Sequence, residues 1–308
     1  MRTIAITGAL GHIGSRLIHS IAPGEFEQVL LLDNFATQRY ASLFKLPRGV
    51  PFHFVEVDIC TADLEKLFAG IDVVVHLAAI TDATTSFERK ALVDAVNVGG
   101  TQRVANACQA TGARLIFPST TSVYGVQEGI VDESCPQVQL KPQSPYAESK
   151  LHCERFLSEQ SRQGLRVAIV RFGTIFGTSV GMRFHTAVNK FCYQAVMGLP
   201  LSVWRTAYEQ RRPYLDVGDA VSAIRFIIAR GLFAGDLYNI VTTNATVREI
   251  VERIQQFLPE TQVEFVDERI MNQLSYTVSS ELFGRRGFTF AGDLTDGIAQ
   301  TVALLRQS

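Results

Sequence analysis

The sequence has no apolar run close to the ~20 residues that a bilayer-spanning helix requires, which excludes a helical membrane protein. It is poor in cysteine: five residues (Cys60, Cys108, Cys135, Cys153 and Cys192), far apart and odd in number. They close no disulfide framework and fit no metal-ligand spacing, so free thiols in a reducing cytoplasm, and no metal, are expected. Neither sign of charge dominates. Lys and Arg number 29 against 30 Asp and Glu, a net charge of -1, which removes any general affinity for nucleic acid or anionic membrane. The basic pairs Arg211-Arg212 and Arg285-Arg286 are too short to change that. No repeat, low-complexity segment or composition break marks a linker. Met1-Arg2 runs straight into the β-branched run Thr3–Thr7, so no signal peptide is expected. What remains is 308 residues with 47% hydrophobic and 19% charged side chains, enough for two lobes with a large core.

The first forty residues carry the clearest pattern. Thr3–Thr7 reads as a strand. It enters Gly8-Ala9-Leu10-Gly11-His12-Ile13-Gly14, and an amphipathic helix follows, ending near Pro23-Gly24. Val29–Leu32 is a second buried strand closed by Asp33, with Asn34 next. Glycines allow close backbone approach to a pyrophosphate, and the N–H groups of a helix N-terminus point at the anion. A carboxylate about twenty residues on suits the adenosine ribose hydroxyls and repels a 2′-phosphate. Asp33 therefore predicts NAD rather than NADP. Further strands are expected at Phe52–Ile59, Asp72–Ala79, Arg114–Phe117 and Arg166–Val170. Helices are expected at about Phe87–Thr111, from Tyr146 to about Gln163, at Met182–Leu199 and at Val247–Phe257. Gly99-Gly100 inside the first of these predicts a kink or a close packing contact, because each glycine costs a helix about 1 kcal/mol.

Two constellations carry candidate chemistry. Tyr146 and Lys150 are four apart in Pro145-Tyr146-Ala147-Glu148-Ser149-Lys150, which places them on one helix face. An ammonium beside the phenol favours the phenolate, making a general base and acid near neutrality. The hydroxyl run Ser119-Thr120-Thr121-Ser122 follows a central strand, where open α/β sheets bind ligands.

The spacing Thr-Gly-Ala-x-Gly-x-x-Gly at Thr7–Gly14, with Tyr146 and Lys150, resembles the short-chain dehydrogenase/reductase superfamily, particularly its extended branch of nucleotide-sugar epimerases and dehydratases. The resemblance covers essentially the whole chain. It implies an α/β fold, a doubly wound parallel sheet (Rossmann) with a smaller α/β substrate lobe. Residues 1–170 plus about 213–241 would bind NAD, and about 171–212 plus 242–308 would bind substrate. It implies a Thr120, Tyr146, Lys150 triad, Thr120 lying four residues before the tyrosine of Val123-Tyr124-Gly125. Tyr124 itself is excluded because Glu128, not lysine, stands four residues on. NAD contacts are implied at Gly8, Gly11, His12, Ile13, Gly14, Asp33 and Asn34, at Asp58-Ile59, at Leu77-Ala78-Ala79, and at Asn97, Tyr146, Lys150 and Phe172. His76 is structural in the family. Substrate contacts are implied at Thr121, Thr174, Arg183, Asn189 and Arg212. Arg212 occupies the family's pyrophosphate-clamping register, and Thr174 replaces the usual asparagine.

The resemblance also separates reactions. Dehydratases of the branch carry Asp-Glu after the threonine, and decarboxylases carry Glu two residues after it; here the residues are Thr121-Ser122. The expectation is an NAD-dependent 4-epimerase of a nucleotide-sugar, acting as a homodimer. The alternatives are an NAD(P)H-dependent reductase of a 4-keto nucleotide-sugar and a non-catalytic NAD-binding protein.

Overall fold

Seven parallel strands form the central sheet of the computed structural model, which describes residues 2–83, 85–267 and 275–307. In chain order they are β1 (Thr3–Thr7), β2 (Gln28–Asp33), β3 (Phe52–Glu56), β4 (Val73–His76), β5 (Arg114–Thr120), β6 (Val167–Phe172) and β7 (Ala234–Ile240). Their spatial order is β3-β2-β1-β4-β5-β6-β7. Chain direction across the sheet therefore reverses between β1 and β4, the switch point at which such sheets hold ligands.

The strands are apolar on both faces because both faces are covered. Ile4, Ile6, Val29, Leu31, Val73 and Val75 enter one core; Ala5, Leu30, Leu32, Val74 and Leu115 enter the other. The helices His12–His19 and Val217–Arg230 lie on the first face, and Gly100–Thr111 and Pro145–Arg162 on the second.

The smaller lobe has its own sheet. Strand Arg211–Asp216 runs parallel to Thr174–Phe176 and antiparallel to Thr243–Thr246. Helices Ala187–Val196, Val247–Phe257 and Leu294–Arg306 pack around Val188, Phe191, Ile250, Ile254, Ile298 and Val302. Val247–Phe257 begins where expected because Thr246 and Glu249 form a reciprocal capping box.

Several expected elements differ in extent or in their interior. The third strand stops at Glu56, because Asp58 Oδ1 accepts the Cys60 amide at 2.8 Å and turns the chain. The expected Met182–Leu199 helix occupies only Ala187–Val196. Asn189 is fully buried, and its amide binds the Gly177 amide and carbonyl and the Arg183 carbonyl, pinning residues 177–186 as a loop. The expected Phe87–Thr111 helix contains a π-helical turn, Asp94–Gly99, between α-helical pieces. Gly100 then meets Ile59 so closely that a Cβ would lie 2.8 Å from its Cδ1. The paired glycines thus mark both a helical irregularity and a packing contact.

Candidate active site

All the elements implied for NAD binding end along one edge of the sheet. The turn after β1 passes Gly8 at φ +66, where a Cβ would stand 2.6 Å from the Ala78 amide. A Cβ at Gly14 would stand 2.5 Å from the Ala9 carbonyl oxygen. Only glycine fits either position. Gly11 caps helix His12–His19 without any side-chain hydrogen bond, so its first-turn N–H groups are left for a ligand. At the end of β2, Asp33 accepts the Leu10 amide at 3.1 Å on one oxygen and the Phe35 amide at 3.0 Å on the other. Asn34 Nδ2 lies 3.5 Å from Asp58 Oδ2, joining the ends of β2 and β3 where an adenosine would lie. This glycine cradle, uncapped helix and oriented carboxylate fit NAD.

The end of β4 is fixed from both sides. His76 is buried and hydrogen-bonded to Thr7 Oγ1 at 2.8 Å and Thr101 Oγ1 at 3.1 Å, so its role is structural. Asn97 binds the Ile80 amide at 2.8 Å and carbonyl at 3.0 Å, and donates to Ser149 Oγ at 3.1 Å. It ties the segment Leu77-Ala78-Ala79 to the Tyr146 helix.

Ser144 caps that helix on the Ala147 amide, and Pro145 opens it, which places Tyr146 in its first turn. Thr120 ends β5, opposite Phe172 at the end of β6, and its Oγ1 accepts the Ser122 amide at 3.2 Å. Lys150 is buried, with Nζ donating to the Pro118 carbonyl at 2.8 Å and lying 4.5 Å from the Phe117 ring centre. Burial lowers its pKa to about 8. Burial pushes the Tyr146 phenol up, while Arg183 and a hydrogen bond from Thr120 pull it down. The Lys150 ammonium is thus held against β5 through the Pro118 carbonyl.

The residues implied for substrate divide. Thr174 is half-buried at the start of the lobe sheet, and Arg212 lies on its central strand with Nη2 3.3 Å from Gln210 Oε1. Thr121 Oγ1 donates to the Phe172 carbonyl at 3.3 Å and accepts from Tyr276 Oη at 3.5 Å. The side-chain amide of Asn189 accepts from the Gly177 amide and donates to the Gly177 and Arg183 carbonyls, which orients the Arg183 loop. Tyr124 Oη is engaged by the Asp132 carbonyl and Asn239 Oδ1.

Several residues escaped sequence reasoning because their contacts cross between lobes. Ser179 holds His12 Nδ1 at 2.7 Å, and the Gly181 amide donates to Ser15 Oγ at 2.9 Å. A Cβ at Gly181 would lie 2.3 Å from the Leu10 carbonyl, so the lobe loop sits directly on the glycine turn. Arg39 faces Asp33. None of these falls in a local motif. Among the described residues, no group of three or more His, Cys, Asp or Glu side chains could hold a metal ion, and no helix is long and apolar enough to cross a membrane.

His12 and His76 are both buried neutral, burial being the main cause, with pKa values lowered to about 3. The unfolded chain binds their protons near the ordinary 6.5, so stability is intact above that value and declines as pH falls toward about 3. Each is expected to remove about 2 kcal/mol between pH 7 and pH 5. Urea unfolding at the two pH values tests this, with imidazole NMR titration identifying the groups; either histidine protonating near 6.5 in the folded protein would refute it.

Residues 4–240 match the model of the NAD dependent epimerase/dehydratase family. The chain is 28% identical over 315 residues to the uncharacterized UDP-glucose epimerase YtcB of Bacillus subtilis (strain 168), covering 98% of this chain and 97% of that one. It is 32% identical over 317 residues to a dTDP-glucose 4,6-dehydratase of Streptomyces griseus, covering 97% and 93%. The structure superposes with TM-score 0.84 on a Thermus thermophilus UDP-glucose 4-epimerase complexed with NAD, at 27% identity and covering 99% of each chain. Fold, glycine cradle and sequence match agree, and the chain belongs to the NAD dependent epimerase/dehydratase family of nucleotide-sugar enzymes.

Proposed function

We propose that the protein is a 4-epimerase of a nucleotide-sugar. The observation that carries this reading is the hydroxyl pair Thr121-Ser122 after Thr120, where a dehydratase or decarboxylase would need a carboxylate. Bound NAD supplies a reversible hydride acceptor at one sugar carbon. Tyr146 takes the proton of the sugar hydroxyl at that carbon, and Thr120 holds the same oxygen by a hydrogen bond. Lys150, on the Tyr146 helix and beside β5, would bind the cofactor ribose in this reading. Thr174 and Arg212 line the substrate side, Arg212 with a guanidinium suited to the diphosphate. With no carboxylate at positions 121 and 122 to draw the keto-sugar into a further reaction, it turns and is reduced from its other face, Tyr146 returning the proton. The helices carrying Leu92 and Tyr146 are proposed to pair with a second copy; Phe87 and Leu92 are exposed apolar side chains on that surface.

Nucleotide release tests the reading. Denaturing freshly purified protein is expected to free near-stoichiometric NAD, identified by chromatography and absorbance. An empty protein that consumes added NADH or NADPH with a keto-sugar would favour the reductase. No affinity for any of these nucleotides would leave a non-catalytic protein.

A further inference from the structure

Residues 177–186 join strand Thr174–Phe176 of the smaller lobe to helix Ala187–Val196, and their contacts reach both sides of the switch point between β1 and β4. On the β1 side, Ser179 Oγ and His12 Nδ1 are 2.7 Å apart, and the Gly181 amide donates to Ser15 Oγ at 2.9 Å. Gly181 packs so closely there that a Cβ would lie 2.3 Å from the Leu10 carbonyl oxygen and 2.8 Å from that of Gly11. On the β4 side, Arg183 Nη1 donates to Thr81 Oγ1, next to Ile80, whose amide and carbonyl Asn97 holds. Asn189 pins the base of the segment through the Gly177 amide and carbonyl. The segment therefore stands on both walls of the crevice into which the glycine turn opens. Beneath it, His12 is the first residue of its helix and only 4% exposed, and its Nε2 is buried with no hydrogen-bond partner among the described residues. A buried polar atom of this kind calls for a partner, and the helix N-terminus beside it suits a phosphate.

We propose that residues 177–186 are a strap over the cofactor cradle: NAD enters or leaves when Ser179 lets go of His12 and Gly181 lets go of Ser15. The strap belongs to the substrate lobe, so cofactor exchange is controlled from the lobe and not from the cradle itself. Its effect is kinetic. Lifting the strap breaks the same two hydrogen bonds for entry and for exit, so the latch slows both and leaves affinity to the glycine turn and Asp33. Glycine is required at position 181 because any side chain there would strike the turn and hold the strap away from it. The proposal rests on NAD as the cofactor of this site and is independent of which sugar reaction follows.

Exchange of bound NAD against an excess of isotopically labelled NAD, in the purified protein without sugar, reads the strap directly. Ser179→Ala and Ser15→Ala are each expected to speed exchange by about 2–10-fold, the usual worth of one hydrogen bond, and the double variant by roughly the product. Gly181→Ala should speed it at least as much as the double variant, and Ser179→Thr, which keeps the hydroxyl, should stay near wild type. Equilibrium dialysis should give a Kd for NAD that changes little in the serine variants, because uptake and release accelerate together. Should Gly181→Ala not fold, the serine variants carry the test. Unchanged exchange in the double variant would overturn the proposal. So would faster release matched by an equally weakened Kd, which would leave Ser179 and Ser15 as supports for direct cofactor binding, or by an equal fall in urea stability, which would mean general loosening. Failure of the epimerase reading would instead appear as absent sugar turnover with the exchange difference intact.

Discussion

Tyr146→Phe is expected to lower kcat by about 10²–10⁴-fold, the usual contribution of a positioned proton-transfer group. The ring stays in its helix turn and only the oxygen is removed. Thr120 is the hydroxyl that loses a partner, so unfolding free energy should change by less than about 1 kcal/mol. NAD should still co-purify, because the glycine cradle and Asp33 lie on other elements. Thr120→Val removes the second hydroxyl at the same reacting oxygen. The double variant should lose little more than the larger single loss, since groups acting as a unit are not additive. Steady-state rates with a nucleotide-sugar, together with nucleotide release, measure all three. A Tyr146→Phe enzyme retaining a tenth of its kcat would remove Tyr146 from the chemistry.

Glu154→Ala is expected to cost about 3–5 kcal/mol of stability, a large share of the ~5–15 kcal/mol available to a folded chain. Glu154 and Arg171 have side chains only 5% exposed, joined at 2.6 Å and 2.9 Å in a two-pronged pair. Ser119 Oγ donates to the same carboxylate at 2.5 Å, and the Arg171 guanidinium lies 4.7 Å from the Tyr124 ring centre. Alanine leaves Arg171 charged and buried without its counter-ion. A paired replacement, Glu154→Leu with Arg171→Met, should recover most of the loss, because it is the uncompensated charge that is costly. Ser119 and Arg171 are opposite each other on β5 and β6, one residue before Thr120 and Phe172. The surviving folded fraction of Glu154→Ala should therefore also show a lower kcat. Urea midpoints decide the point; a loss below about 1 kcal/mol would mean water reaches the pair.

Local signals in the sequence were readable because one or two residues enforce them. Thr246 and Glu249 close a capping box, and the helix Val247–Phe257 follows with its expected bounds. Gly8 and Gly14 stand where any Cβ would strike backbone, and the strand-turn-helix reading around them agrees with the structure. The continuous apolar runs of β1, β2 and β4 reveal a sheet covered on both faces. What stayed hidden depends on partners distant in sequence. Nothing local shows that Asn189 holds residues 177–186 out of the helix, or that the loop then rests on the glycine turn. The four-residue spacing of Tyr146 and Lys150 correctly shares a helix, but spacing does not reveal that Lys150 Nζ bonds the Pro118 carbonyl.

The interleaving of the two lobes has a consequence for synthesis. The central sheet is completed only by Ala234–Ile240, after both Thr174–Phe176 and Arg211–Asp216 have been made. The lobe core waits longer still, for Leu294, Ile298 and Val302 near the end of the chain. An emerging chain therefore has no finished half to bury while the rest is translated. The edge at β6 stays open to wrong partners until Ala234–Ile240 has been made, and the apolar face of Val247–Phe257 until Leu294–Arg306 follows it, so both cores close late in synthesis.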